Sequence, residues 1–153
     1  YQKELERLSN TTPKDIDILF YGSINQRRQK IIQELIDKGL NVKVLFGVYG
    51  KERDQYIQRS RIVLNHHHYE SEIFEIVRVF YLITNSVAVV AEVNETTNID
   101  NIYRNAVAGT PYYQLSATCM ELLLHPSKRI DLQTKGKHEI QKYPQKFFTE
   151  SIL

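Results

Sequence analysis

Tryptophan is absent from this 153-residue chain, and cysteine and methionine occur once each. The lone cysteine, Cys119, excludes an internal disulfide framework and fits a reducing, cytoplasmic setting. It is expected as a small buried residue on a helix. An excess of one charge is also missing: 20 Lys and Arg face 18 Asp and Glu, for a net charge of +2. The basic residues are scattered, so no nucleic-acid-binding face is expected. No apolar stretch approaches the roughly 20 residues that span a bilayer, and no charged-then-apolar leader is present. Because the first residue is Tyr1 and not Met, the chain is expected to be cut from something longer.

What is present is a hydrophobic content of 42%, enough for one globular core. Residues 1–14 read as a short amphipathic N-terminal helix and linker, with Leu5 and Leu8 three apart and Pro13 ending it. Ile16–Tyr21 is a short apolar run bounded by Asp and Gly, the pattern of a buried parallel strand. A turn at Gly22–Asn25 then leads into a helix over Gln26–Lys38, with Gly39 at its C-cap. A second strand over Val42–Phe46, a loop at Gly47–Gly50 and a polar helix over Glu52–Ser60 repeat the unit. A third strand, Arg61–Asn65, precedes the histidines. The helix over Glu72–Thr84 is apolar nearly all round and is expected to be buried. Val87–Ala91 is a fourth strand, Asn94–Asn105 a polar loop, and Ala106–Ala108 a short fifth strand. Pro111 opens a helix over Tyr112–Leu124. Strands alternating with helices imply an α/β fold: a doubly wound, Rossmann-like parallel sheet in three α/β/α layers. The main domain covers residues 15–130, with a helical tail over 131–153.

Chemistry is concentrated where strands feed loops. In Gly22-Ser23-Ile24-Asn25-Gln26-Arg27-Arg28 the free N–H groups of a helix start favour an anion, with Arg27 or Arg28 as a bidentate phosphate partner. The structural alternative is an ordinary turn with both arginines solvated. The stretch is neither a Walker loop nor a GxGxxG turn, which disfavours a nicotinamide cofactor. His66, His67 and His68 lie on a strand end, so neighbours point to opposite faces and at most two converge on one ion. No metal is expected. One or two imidazoles, His66 and His68 among them, are read as lining a cleft, against the alternative of exposed histidines. Glu75 and Arg78 are three apart in an apolar helix and either pair with each other or meet a ligand, since isolated buried charges are costly.

The series DILFYGSINQRRQKIIQEL, VKVLFGVYGKERD, RIVLNHHHYESEIFEIVRVFYLITNSVAVVAE and PYYQLSATCMELLLHPSKR resembles the C-terminal, nucleotide-sugar-binding half of GT-B glycosyltransferases of the glycosyl transferases group 1 type. The likeness spans about residues 15–129 and lies in the order of its motifs. It implies a donor half that takes a nucleoside-diphosphate sugar as substrate, without a cofactor, and passes the sugar to an acceptor hydroxyl on a glycan, lipid or protein. The acceptor and its base would be supplied by an N-terminal domain outside this chain, so no catalytic residue is nominated here. The resemblance gives the diphosphate to Gly22, Ser23 and Asn25 with Arg27 or Arg28, and the base to Gly47, Val48 and Tyr49. Sugar and ribose fall to the segment from His68 to Arg78, Glu72 and Glu75 included. Phe80 stands where the family carries a second glutamate, and Ser86 and Ala88 replace its frequent glycine and proline. A non-catalytic, degenerate docking module is therefore the alternative. A receiver-like domain is disfavoured because Asp15 and Asp17 lie at the start of the first strand, not at its carboxyl end.

Overall fold

A computed structural model describes residues 5–9, 11–69, 76–94 and 101–142. Strands β1 (Ile16–Tyr21), β2 (Val42–Leu45), β3 (Ser60–Asn65), β4 (Ala88–Glu92) and β5 (Ala108–Thr110) form one parallel sheet in the order β2-β1-β3-β4-β5. Ile18 aligns with Val42 on one side and Ile62 on the other. Between the strands run α1 (Gln26–Asp37), α2 (Gly50–Gln58), α3 (Ile76–Thr84) and α4 (Asn101–Arg104), followed after β5 by α5 (Leu115–Leu124) and α6 (Pro126–Gln141).

The pleat divides each strand between two cores. Leu19, Tyr21, Val63, Val89 and Ala91 face Ile57 of α2, Phe80, Leu82 and Ile83 of α3, and Ile140 of α6. Ile18, Ile62, Leu64, Ala88 and Val90 face Ile31 and Leu35 of α1 and Leu115 and Cys119 of α5. Both sides of the sheet are thus covered, which is why its strands read as nearly unbroken apolar runs. The three-layer, Rossmann-like α/β/α fold follows. Because α1 lies on one face and α2 on the other, the connections reverse direction between β1 and β3, and the carboxyl ends of these strands flank a crevice at that switch point.

Several boundaries depart from the sequence expectation. Residues 6–9 are not helical: the amides of Arg7 and Leu8 donate to Asn85 Oδ1, and Asn85 Nδ2 donates to the Leu5 carbonyl, so the segment is tied to the end of α3. The start expected for that helix, residues 72–75, lies outside the described residues. Its end is closed by Ser86, which takes the left-handed conformation at φ 58°, while the Ser86 and Val87 amides return to Ile83 and Leu82. Residues 101–104 form a helical turn where a loop is expected. The amides of Ala106 and Val107 turn back to Tyr103, so the fifth strand begins at Ala108 instead of Ala106. At Gly109 the chain packs closely on Val93: a Cβ there would meet Val93 Cγ2 at 2.9 Å, so a larger residue would force that side chain to shift. Helix α6 runs unbroken through residue 130, with Ile140 on its last turn fully buried.

Candidate functional site

β1 delivers the chain to Gly22, whose φ of +144° is one that side-chain-bearing residues rarely adopt. A Cβ there would come within 3.5 Å of Arg28 Nη1 and 3.7 Å of Arg78 Nη1, so two guanidinium groups approach this turn. Asn25 then caps α1: its Oδ1 accepts from the Arg28 amide at 2.9 Å. The same side chain donates from Nδ2 to the His68 carbonyl at 2.7 Å, and Ser23 Oγ lies 3.4 Å from His68 Nδ1. The loops after β1 and β3 are therefore laced together across the switch point.

Beneath this rim, Arg28 is buried, at 4% exposure. Its guanidinium donates to the His66 carbonyl at 3.1 Å and the Ser23 carbonyl at 3.0 Å. His66 answers with Nε2–H donating to the Arg28 carbonyl at 3.0 Å, and its ring stands edge-on to Phe20 with centroids 5.1 Å apart. This packing gives Arg28 and His66 Nε2 backbone partners, while among the described residues His66 Nδ1 has no hydrogen-bond partner. Burial, reinforced by the neighbouring Arg28 charge, drives the His66 pKa down to about 4, so the ring is neutral. The unfolded chain then takes up a proton that the folded one refuses. Stability is expected to be full above pH 6.5 and to fall by roughly 3 kcal/mol as the pH drops toward 4. Urea titrations across that range should show the His66→Gln variant lacking this component; an unchanged pH slope would refute it.

Arg27 turns the other way. Its Nη1 donates to the His67 carbonyl at 2.8 Å and to Glu92 Oε1 at 2.7 Å, and Nη2 reaches Glu92 Oε2, a bidentate pair. The guanidinium lies over the Tyr112 ring at 4.1 Å, and the Tyr112 hydroxyl donates to the Arg27 carbonyl. Glu92 has a fully buried side chain and also accepts from the His67 amide at 2.9 Å and Asn94 Nδ2 at 2.6 Å. Burial alone would raise its pKa, but these donors together outweigh it and hold the carboxyl below its usual value. The diphosphate role expected of Arg27 thus competes with an internal partner. His67 is as buried as His66, and among the described residues neither of its ring nitrogens has a hydrogen-bond partner, although Nδ1 lies 3.6 Å from Glu92 Oε2.

On the open side, Tyr21 is flanked by two cations. The Arg78 guanidinium lies 4.7 Å from the ring centroid and donates to the Tyr21 carbonyl at 3.0 Å, while that of Arg53, on α2, lies 5.2 Å from the same ring. Gly47, with φ +72°, Val48 and Tyr49 follow β2 at the same end of the sheet. Val48 packs into the core and Tyr49 stays 73% exposed. His68 is half-buried with its ring edge-on to exposed Tyr69. Glu72 and Glu75 lie outside the described residues, which leaves the Glu75–Arg78 pair without a geometry.

Glu92, Tyr112, Phe20, Tyr21 and Arg53 were not expected at the site. Only Glu92 carried a signal: a lone carboxylate closing the run VAVVAE needs a buried cation. Cys119 is fully buried, and burial pushes its thiol up to about 12, so it stays protonated. Among the described residues no three His, Cys, Asp or Glu side chains gather as for a metal ion, and no helix is long and apolar enough to cross a membrane.

No family model matches the chain. It is 34% identical over 82 residues to an uncharacterized protein of Acanthamoeba polyphaga mimivirus, covering 50% of this chain and 9% of that one. A second uncharacterized protein of the same virus is 33% identical over 76 residues, covering 48% of this chain and 10% of the relative. In three dimensions the chain superposes on sucrose-phosphate synthase from Thermosynechococcus elongatus with a TM-score of 0.61 at 14% identity, covering 91% of this chain and 45% of that one. Superposition on TarM gives a TM-score of 0.58 at 12% identity, covering 96% of this chain and 36% of TarM. The chain therefore spans less than half of these solved chains, and the matched segment only a small fraction of the curated relatives. At these identities the likeness is one of fold, the Rossmann-like α/β/α layering that this chain shares with part of each of the two solved chains.

Proposed function

We propose that the crevice between β1 and β3 binds the diphosphate of a nucleoside-diphosphate sugar, and that the chain is the donor-binding half of a glycosyltransferase. The observation that carries this reading is the meeting of the Gly22 turn, the His68 loop and Arg78 at the topological switch point. Gly22 and Ser23 offer backbone that a phosphate can approach closely, and Arg78, with Arg53 across Tyr21, supplies positive charge. Gly47, Val48 and Tyr49 would meet the base, with the exposed Tyr49 ring as a stacking surface. Asn25, Arg27, Arg28 and His66 form the supporting layer that holds the two loops in register. Glu72 and Glu75 are assigned to the sugar and ribose hydroxyls.

In the transfer, the bond from the anomeric carbon to the diphosphate oxygen breaks and one to the acceptor oxygen forms. Charge accumulates on the departing diphosphate, where Arg78 stabilises it. The nucleotide-sugar is substrate, not cofactor. The acceptor, whether glycan, lipid or protein, and the base that takes its proton belong to a further domain.

Calorimetry with a panel of nucleoside diphosphates and their sugars tests this. The chain is expected to bind at least one, and Arg78→Gln to weaken that binding by about tenfold, the loss of one charge-assisted contact. Silence across the panel by the folded protein would instead favour the docking module.

A further inference from the structure

The amino-terminal end of the sheet carries a second feature, on the side opposite the proposed donor crevice. There a cavity of about 420 Å³ opens between the segment leading into β1, the starts of β3 and β4, and α6. Three cations line it: Lys14 before β1, Arg61 as the second residue of β3, and Arg129 near the start of α6. Among the described residues no carboxylate lines it. We propose that this cavity is an anion site that takes a small organic phosphate.

The cations have donors to spare. Among the described residues, Lys14 Nζ donates only to the Gln58 carbonyl at 2.6 Å, Arg61 Nη1 to Asp17 Oδ1 at 3.0 Å, and Arg129 Nη1 to the Leu122 carbonyl at a long 3.4 Å. An ammonium and two guanidinium groups carry thirteen N–H donors by their chemistry, roughly ten more than these bonds use. Electrostatics agree with the geometry. Burial, then Arg129 and Arg61, lower the pKa of Lys14, and burial, then Arg61, lower that of Arg129. The three charges thus repel one another in a partly desolvated space, a cost that a bound anion converts into attraction. Among the described residues Asp17 pairs with Arg61 at 3.0 Å and also attracts Arg129, and Asp15, paired with Arg59, lies within electrostatic reach of Arg61.

Size and wall chemistry define the ligand class. The volume falls within the range of small-molecule sites. Apolar Leu8, Val87 and Ile130 share the wall with the cations, so an organic moiety has a surface to lie on while its phosphate meets Arg129 and Lys14.

The test is an amide chemical-shift titration of the full chain with inorganic pyrophosphate at low ionic strength, which maps binding at either end of the sheet. Saturable shifts at Ser60, Ser86 and Gln133 are expected. Arg129→Gln should raise the dissociation constant of that set by about tenfold, while Arg78→Gln leaves it unchanged. Should Arg129→Gln not fold, Lys14→Gln is expected to give the same weakening. Shifts confined to Gly22, Ser23 and His68, no saturable shift at all, or a constant insensitive to the Arg129 or Lys14 replacement would each overturn the proposal. The first of these outcomes would leave the donor-crevice reading intact, so the two readings fail separately.

Discussion

Replacing Glu92 with alanine is expected to lower the unfolding free energy by about 3–5 kcal/mol, the cost of stranding one member of a buried ion pair. The carboxylate is fully buried and takes two hydrogen bonds from Arg27, itself only 19% exposed, plus one each from the His67 amide and Asn94. Removal leaves a guanidinium pinned under Tyr112 without its counter-ion, and an amide without its acceptor. The double variant Arg27→Met with Glu92→Leu should recover much of the loss, because it removes both charges together. Chemical denaturation with an unchanged m-value is the measurement; a double variant as unstable as the sum of the singles would show that the pair is not the cause. The pH dependence has a defined sign. A carboxyl held below 4.5 in the folded state contributes its stability in full above that pH and loses it as the pH falls through the folded value. Glu92→Ala should therefore lack this acid limb.

Phe20→Ala is expected to cost about 3–5 kcal/mol and to loosen the crevice at the same time. Phe20 is fully buried at the penultimate position of β1 and supports three parts of the site. The His66 ring stands edge-on to it, the Arg28 guanidinium lies 5.2 Å from its centroid, and its Cζ is the nearest atom to the missing Cβ of Gly22. A cavity here removes packing from the layer that holds the loops after β1 and β3 in register. Phe20→Leu should cost less than half as much, since most of the apolar volume survives. Thermal unfolding measures the stability loss, and the His66 ring proton shifts, which report the Phe20 ring above them, measure the local effect. Unaltered His66 shifts in a folded Phe20→Ala protein would refute the support role.

Much of the layer plan was legible because it depends on local pattern. Ile16–Tyr21 is a run of six residues bounded by Asp and Gly, and it forms β1 with those bounds. Ile31 and Leu35 lie four apart and face the same core. Where the boundaries differ from local pattern, another bond takes the place of the expected one: Asn85 takes the amides of Arg7 and Leu8 that a helix would use, and Tyr103 takes the amides that would open β5 two residues earlier.

The site was less legible. Arg27 and Arg28 are adjacent on a helix, about 100° apart by helical geometry, so no periodicity tells which meets a phosphate. One goes to Glu92, 65 positions away, and the other to His66, 38 positions away. The histidine run poses the same difficulty, since its three rings differ only in what surrounds them.

The amino-acid order alone determined that strands alternate with helices, that both sheet faces are covered, and that polar groups gather after the first and third strands. These follow from periodicity and turn chemistry, which act over a few residues. Tertiary structure alone decided that Arg28 and His66 support the crevice, that Arg27 belongs to Glu92, and that Lys14, Arg61 and Arg129 share a cavity. The physical reason is that a charged side chain is committed by whichever partner the folded sheet brings within hydrogen-bonding reach, and those partners lie tens of residues away along the chain.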